Sequence, residues 1–207
     1  MILIIDYKAG NLTSVKRALD YLELPNRFVT SGDELLEAEH IIFPGVGHAA
    51  TAMAVLRERG FDTALKEAFE RGVPILGICL GSQIVLSHSD EGDTTCLGLI
   101  EGTCPRFELD DPTLKIPHMG WNEVTATQPH PILKDLRPGD EFYFVHSYYP
   151  LPDDDANVYA TCDYEITFPA AVGCENLFAT QFHPEKSGRI GLNVLRNFAR
   201  WNGREEE

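Results

Sequence analysis

Short apolar runs alternate with segments whose apolar residues return every three or four positions, and this alternation fills the first half of the chain. Residues 1–5, 26–29, 40–43 and 74–78 have the length and composition of buried strands. After the first of them, Leu12, Val15, Leu19 and Leu22 recur at helical spacing, with Asn11 placed as an N-cap. Ser31-Gly32-Asp33-Glu34 has the form of a capping box and predicts a short helix. Phe61, Leu65 and Phe69 mark the face of another helix, just ahead of the strand at 74–78. Strands separated by helices read as a parallel sheet.

After residue 92 the pattern changes. Short β-like runs with Pro and Gly at their boundaries follow at 102–108, 115–124, 141–148, 157–163, 169–174 and 177–182. A helix near 189–201 closes the chain, with Ile190, Val194, Phe198 and Trp201 on one side. No repeat, low-complexity stretch or linker divides the sequence. The pattern predicts one α/β domain over 1–203, with a mostly parallel central sheet flanked by helices and an added antiparallel β region. Residues 204–207 read as a disordered acidic tail.

Composition narrows the partners. The chain has 207 residues and a net charge of −15, which argues against nucleic acid and against anionic membranes. The acidity gathers in Asp110-Asp111, Asp153-Asp154-Asp155 and Glu205-Glu206-Glu207. Cysteines at 79, 96, 104, 162 and 174 form no C-x-x-C pair and no zinc-like spacing with histidine, so no metal or cofactor site is expected. An odd number of cysteines without a signal peptide fits the reduced thiols of a cytoplasmic protein. Met1-Ile2-Leu3-Ile4-Ile5 is too short to cross a bilayer and reads as a buried first strand.

The chemistry centres on Pro74-Ile75-Leu76-Gly77-Ile78-Cys79-Leu80-Gly81-Ser82-Gln83. This is a strand running into a Gly-x-Cys-x-Gly turn and then a helix, a nucleophile elbow with cysteine in place of serine. The helix N-terminus would favour a thiolate at Cys79. Taken alone, a cysteine among aliphatic residues is as readily inert core. The later Phe182-His183-Pro184-Glu185 supplies a partner. Proline disfavours helix at His183, so the segment is expected to be extended, with His183 and Glu185 on one side. Cys79, His183 and Glu185 then form a triad of nucleophile, acid–base and orienting carboxylate. A third element, Phe43-Pro44-Gly45-Val46-Gly47, follows a strand. The amides of Leu80 and of Val46 or Gly47 are candidates for an oxyanion hole, although an ordinary strand-end turn has the same composition.

In their order, Pro-Gly-Val-Gly, Gly-Ile-Cys-Leu-Gly-Ser-Gln and Gln-Phe-His-Pro-Glu resemble the class I glutamine amidotransferases, over nearly the whole chain. Pro117-His118-Met119-Gly120-Trp121-Asn122, Tyr143-Phe144-Val145-His146-Ser147-Tyr148-Tyr149, Phe182 to Gly188 and Asp6 to Val15 are similar to one branch of that family, the glutaminase subunits of imidazole glycerol phosphate synthases. The resemblance implies hydrolysis of glutamine to glutamate and ammonia by Cys79 and His183. It also implies a substrate pocket lined by Gly47, Gln83 and Glu91, completed by the backbone of His146, Ser147 and Tyr148. Glu91 suits the substrate α-ammonium, though a solvated loop charge is the plain alternative. The implied partner is a (βα)₈-barrel cyclase that combines ammonia with PRFAR, giving imidazole glycerol phosphate and AICAR in histidine biosynthesis. Asn11, Trp121 and Lys186 would face it, and Trp121 has a core aromatic as its other reading. Such a glutaminase would stay slow until the cyclase holds its own ligand, with the Gly45–Gly47 turn as the switch.

Two positions depart from that branch. Ser82 stands where methionine is common, and Glu165 where glycine is commoner. Other readings share the elbow: a glutaminase serving a different synthase, a non-catalytic subunit of the same fold, or a cysteine hydrolase acting on peptides. The subunit-specific stretches, the intact triad and the late Phe-His-Pro-Glu argue against these in turn.

Overall fold

A computed structural model describes residues 1–7 and 12–204 of the chain. The expectations for Asn11, and for the tail beyond Arg204, lie outside the described residues. The elements of the first half are β1 (Ile2–Ile5), α1 (Leu12–Tyr21), β2 (Asn26–Val29), β3 (His40–Gly45), α2 (Ala49–Glu58), α3 (Phe61–Glu70), β4 (Ile75–Cys79) and α4 (Leu80–Ile84). The second half adds β5 (His88–Ser89), β6 (Thr94–Thr95), β7 (Gly102–Cys104), β8 (His118–Glu123), β9 (Thr125–Ala126), β10 (Glu141–His146), β11 (Leu151–Pro152), β12 (Val158–Tyr164), β13 (Ile166–Cys174), β14 (Leu177–Thr180) and α5 (Gly188–Phe198).

The main sheet has eight strands in the order β2-β1-β3-β4-β14-β13-β12-β9. Pairing is parallel from β2 to β14 and antiparallel from β14 to β9. The added β region is therefore partly a continuation of the central sheet and partly two annexes, an antiparallel β8–β10 ribbon and a small mixed sheet of β11-β7-β5-β6 in which β5 and β7 run parallel. The inner strands β1, β3 and β4 are largely apolar because both faces are covered, whereas edge strand β2 carries Asn26 and Arg27. Leu3, Ile5, Ile41, Phe43 and Ile75 face α2 and α3, whereas Ile2, Ile4, Ile42, Leu76 and Ile78 share the other core with Val15, Leu19, Val194 and Phe198. Among the described residues, no helix is long and apolar enough to cross a membrane.

Several boundaries differ from the sequence reading. α2 is unanticipated: its buried face is Ala49, Ala52, Met53 and Leu56, in which alanine gives little hydrophobic signal. At Gly32–Leu35 the chain forms a 3₁₀ turn, and the Ser31 side chain makes no cap bond. Glu34 Oε1 instead accepts from the Thr30 amide, one residue before the N-cap, at 2.8 Å. The closing helix stops at Phe198, and Trp201 packs edge-on against His130 with ring centroids 5.0 Å apart.

Candidate active site

The parallel register sets Gly45 beside Cys79 and Thr180 beside Ile78. Cys79 therefore lies between the glycine-rich end of β3 and the segment that leaves β14 toward His183. Cys79 adopts φ 55 and ψ −107, a conformation that L-residues avoid and that marks a strained elbow. The strain is held by close packing on both sides. A Cβ on Gly81 would lie 2.1 Å from the Phe43 carbonyl oxygen, so only glycine lets α4 approach β3 this closely. Ser82 Oγ donates to the Cys79 carbonyl oxygen at 2.7 Å, which gives the departure at 82 a role in tying down the elbow. α4 spans only five residues. The positive end next to the sulfur is thus made by its first-turn amides.

His183 is extended, but Pro184–Lys186 form a 3₁₀ turn. The expected extended His-Pro-Glu is therefore corrected. It is the turn that brings Glu185 Oε1 to 2.8 Å from His183 Nδ1, with both side chains only 1% exposed. The turn is knitted to β10. The His183 amide donates to the Tyr143 carbonyl at 2.9 Å, the Tyr143 amide to Ser187 Oγ at 3.0 Å, and Ser187 Oγ to the His183 carbonyl at 2.6 Å.

Burial works against a charged His183, but the Cys79 sulfur outweighs it through charge and hydrogen bonding. Glu185 adds to that effect, and the imidazole pKa rises to about 10. Nδ1 is committed to Glu185, which leaves Nε2 as the ring nitrogen able to exchange a proton with a neighbouring group. The Cys79 sulfur also has Gln181 Nε2 at 3.9 Å as a donor and the Val145 carbonyl at 3.9 Å as an acceptor.

In front of the sulfur opens a cleft of about 350 Å³ lined by Val46, Gly47, Cys79, Leu80, Gln83, Glu91, Pro117, Val145, His146, Ser147 and Tyr148. All the expected pocket and oxyanion residues thus meet in one place. Gly47 has φ +109 and open space where a Cβ would stand, so its need for glycine is conformational rather than steric. Among the described residues Glu91 is the one acidic side chain of the lining, and its Oε2 accepts from the Ala49 amide at 2.6 Å. It therefore caps α2 while facing the cleft.

Trp121 and Lys186 do not enter the cleft. Trp121 is 54% exposed, which removes its reading as a core aromatic. Its ring lies 6.1 Å from that of Tyr143, and Lys186 Nζ stands 5.5 Å from the same ring on Tyr143. The three form a solvent-facing patch immediately behind His183.

Sequence reasoning missed Gln181, Val145, Pro117 and Tyr7. Gln181 was legible only as the residue before Phe-His-Pro-Glu. Tyr7 follows β1, and its buried hydroxyl has no hydrogen-bond partner among the described residues. It lies so close to Gly45 that a Cβ there would overlap it. Burial, aided by the charge of Cys79, pushes its pKa far up.

An elbow cysteine, a buried His–Glu pair and a cleft with one carboxylate, set on a mostly parallel sheet, define a class. The family model described as glutamine amidotransferase class-I matches residues 3–201, and the chain belongs to that family. It is similar to the imidazole glycerol phosphate synthase subunit HisH of Nitratidesulfovibrio vulgaris (strain DSM 19637 / Miyazaki F), with 49% identity over 203 residues, 96% of this chain and 95% of the relative. The HisH subunit of Dehalococcoides mccartyi is 45% identical over 199 residues, 96% of each. Among solved structures, PurLQS from Thermotoga maritima superposes with a TM-score of 0.75 at 22% identity, over 96% of this chain and 97% of that one. The glutaminase domain of Trypanosoma brucei CTPS gives 0.60 at 15% identity, over 100% and 97%. At such identities these two structures speak to the fold.

Proposed function

We propose that this chain is the glutaminase of a two-part imidazole glycerol phosphate synthase in histidine biosynthesis, working in the cytoplasm. The observation that carries the reading is the buried Cys79–His183–Glu185 constellation at the floor of a cleft whose one acidic group is Glu91. Cys79 Sγ attacks the side-chain amide carbon of glutamine, and the carbonyl oxygen takes the negative charge. The amides of Leu80 and of Val46 or Gly47 receive that oxyanion. His183 Nε2–H protonates the amide nitrogen as its bond to carbon breaks, releasing ammonia and leaving a γ-glutamyl thioester. The neutral imidazole then takes a proton from water, whose oxygen attacks the thioester carbon. Glutamate leaves, and the proton returns to the Cys79–His183 pair. Glu185 holds the imidazole tautomer and favours its charged form throughout. Gly47, Gln83, Glu91 and the backbone of His146, Ser147 and Tyr148 orient the substrate.

Free ammonia protonates in water and ceases to be a nucleophile. It therefore passes to a cyclase subunit, a (βα)₈ barrel that uses it to convert PRFAR to imidazole glycerol phosphate and AICAR. The 45–49% identity to HisH subunits along nearly their full length supports this partner. The exposed Trp121, with Tyr143 and Lys186 beside it, supplies an aromatic and cationic docking face next to the base. Glutamate release, measured alone and with that cyclase carrying PRFAR, tests the reading. Stimulation that vanishes in Cys79→Ala is expected. A fast rate indifferent to the cyclase would overturn the partner, and no hydrolysis by a verified complex would overturn the activity.

A further inference from the structure

β8 begins at His118 and β10 ends at His146, and the two residues face each other across the ribbon. Both rings are buried. His146 Nδ1 lies 2.8 Å from the Tyr148 carbonyl oxygen. A carbonyl only accepts, so Nδ1 carries the proton and Nε2 is left as an acceptor. That acceptor is 3.1 Å from His118 Nδ1, which is therefore the donor. His118 Nε2 becomes an acceptor in turn, with Asn122 Nδ2 at 3.5 Å as a long outer link. One backbone carbonyl thus fixes the tautomers of two rings.

The surroundings hold both rings neutral, as the relay requires. His118 stacks on Tyr164 and Phe144 with centroids 4.0 and 5.0 Å away, and Phe107 and Phe168 close the cage around the pair. Burial lowers the pKa of His118 to about 4 and of His146 to about 3.

At its inner end the relay meets the cleft. The Tyr148 carbonyl also accepts from Gln83 Nε2 at 2.8 Å, so both of its lone pairs are engaged. Gln83 Nε2 reaches Gln181 Oε1 at 3.0 Å, and Gln181 Nε2 points at the Cys79 sulfur. The Tyr148 carbonyl is a junction between the histidine pair and the nucleophile.

We infer that the buried pair His118–His146 positions the glutamine pocket: it locks the Tyr148 carbonyl and, through Gln83, the wall against which the substrate lies. This inference rests on the glutaminase reading above. Both histidines are positioning residues, acting through Tyr148 and not on the reacting carbon. Without the His118 donor, His146 Nε2 is a buried acceptor with nothing to accept from. The ring relieves that cost by turning or by moving its proton, and either change takes a donor away from the Tyr148 carbonyl.

Two measurements test it. In the unsubstituted full-length protein, long-range ¹H–¹⁵N spectra at neutral pH are expected to show both rings as the Nδ1–H tautomer, the minor form of free neutral histidine. An Nε2–H signature on either ring overturns the relay. With the cyclase present, His118→Phe keeps the stacked ring and removes the donor. It is expected to raise KM for glutamine about tenfold while kcat stays within about threefold. His118→Asn restores an amide N–H near the Nδ1 position and is expected to recover much of the KM. An unchanged KM in His118→Phe, or a loss in kcat alone, overturns the positioning role. The spectra need no substrate. A wild-type chain that hydrolyses no glutamine would overturn the assigned reaction while the tautomers still decide the relay.

Discussion

A Cβ on Gly81 would stand 2.1 Å from the carbonyl oxygen of Phe43, and both sides of that contact are backbone. Neither strand nor helix can yield without opening the elbow. Gly81→Ala is therefore expected to cost about 3 kcal/mol or more, a fall in Tm of roughly 6–12 °C for a chain of this size. Thermal unfolding followed by circular dichroism reads this directly. A variant melting within about 2 °C of wild type would show the elbow to be looser than the packing requires.

Glu185 is buried against His183 with an Nδ1–Oε1 distance of 2.8 Å. Glu185→Gln keeps the shape but removes the charge that favours imidazolium. A loss in kcat of about 100-fold or more is expected, with a smaller change in KM. Stopped glutamate-release assays in the presence of the cyclase measure both. Equal losses in Glu185→Gln and Glu185→Ala would mark charge, rather than bulk, as the decisive property.

The histidines give opposite pH signatures. His183 rises on folding to about 10, so its contribution to stability is complete below the unfolded value of about 6.5 and is lost as pH climbs through the folded one. Tm is expected to fall more steeply over that window in wild type than in His183→Gln. His118, His130 and His146 are pushed down by burial to about 4, 4 and 3. Their unfolded rings take up protons first as pH drops below about 6.5, so stability falls toward acid. Urea midpoints at about pH 7.5 and about pH 5 should show the lower value at pH 5.

Tyr7 buries a hydroxyl that has no hydrogen-bond partner among the described residues. Removing such a group does not incur the usual penalty, because no partner is orphaned. Tyr7→Phe is expected to match or exceed wild-type stability by up to about 1 kcal/mol. A clear loss of stability in chemical denaturation would mean that the hydroxyl is satisfied in solution.

Glu165 sits at φ 60 in the tight turn between β12 and β13, where glycine would be unstrained. Its carboxylate offsets that strain by accepting from the Asp110 and Asp111 amides at 3.0–3.1 Å. Glu165→Gly is expected to leave Tm within about 2 °C of wild type while exposing the 110–114 loop to proteolysis. Limited digestion with mass analysis would locate the new cut.

The parallel half of the fold was legible because strands such as β1, β3 and β4 bury side chains on both faces, Ile4, Ile42 and Leu76 on one and Leu3, Ile41 and Ile75 on the other, and leave continuous apolar runs. Helix α2 was not, because alanine carries much of its buried face. The two-residue ladders β5, β6, β9 and β11 are too short to have a period. At the site, the elbow and His-Pro-Glu were readable from local turn chemistry, although the expected extended geometry proved to be a 3₁₀ turn. Gln181, Tyr7 and the His118–His146 relay depend on contacts between distant segments. A single glutamine or tyrosine carries no local mark of such a role.

The position of β14 has a consequence for the order in which the molecule is made. It lies between β4 and β13, and His183 and Glu185 follow directly behind it. During vectorial synthesis the thiol of Cys79 emerges about a hundred residues before the imidazole of His183. The edge of β4 remains open until the last strand arrives to fill it. The nascent chain therefore carries Cys79 without an imidazole beside it, and the two side chains meet late, when the final strand docks and brings His183 with it.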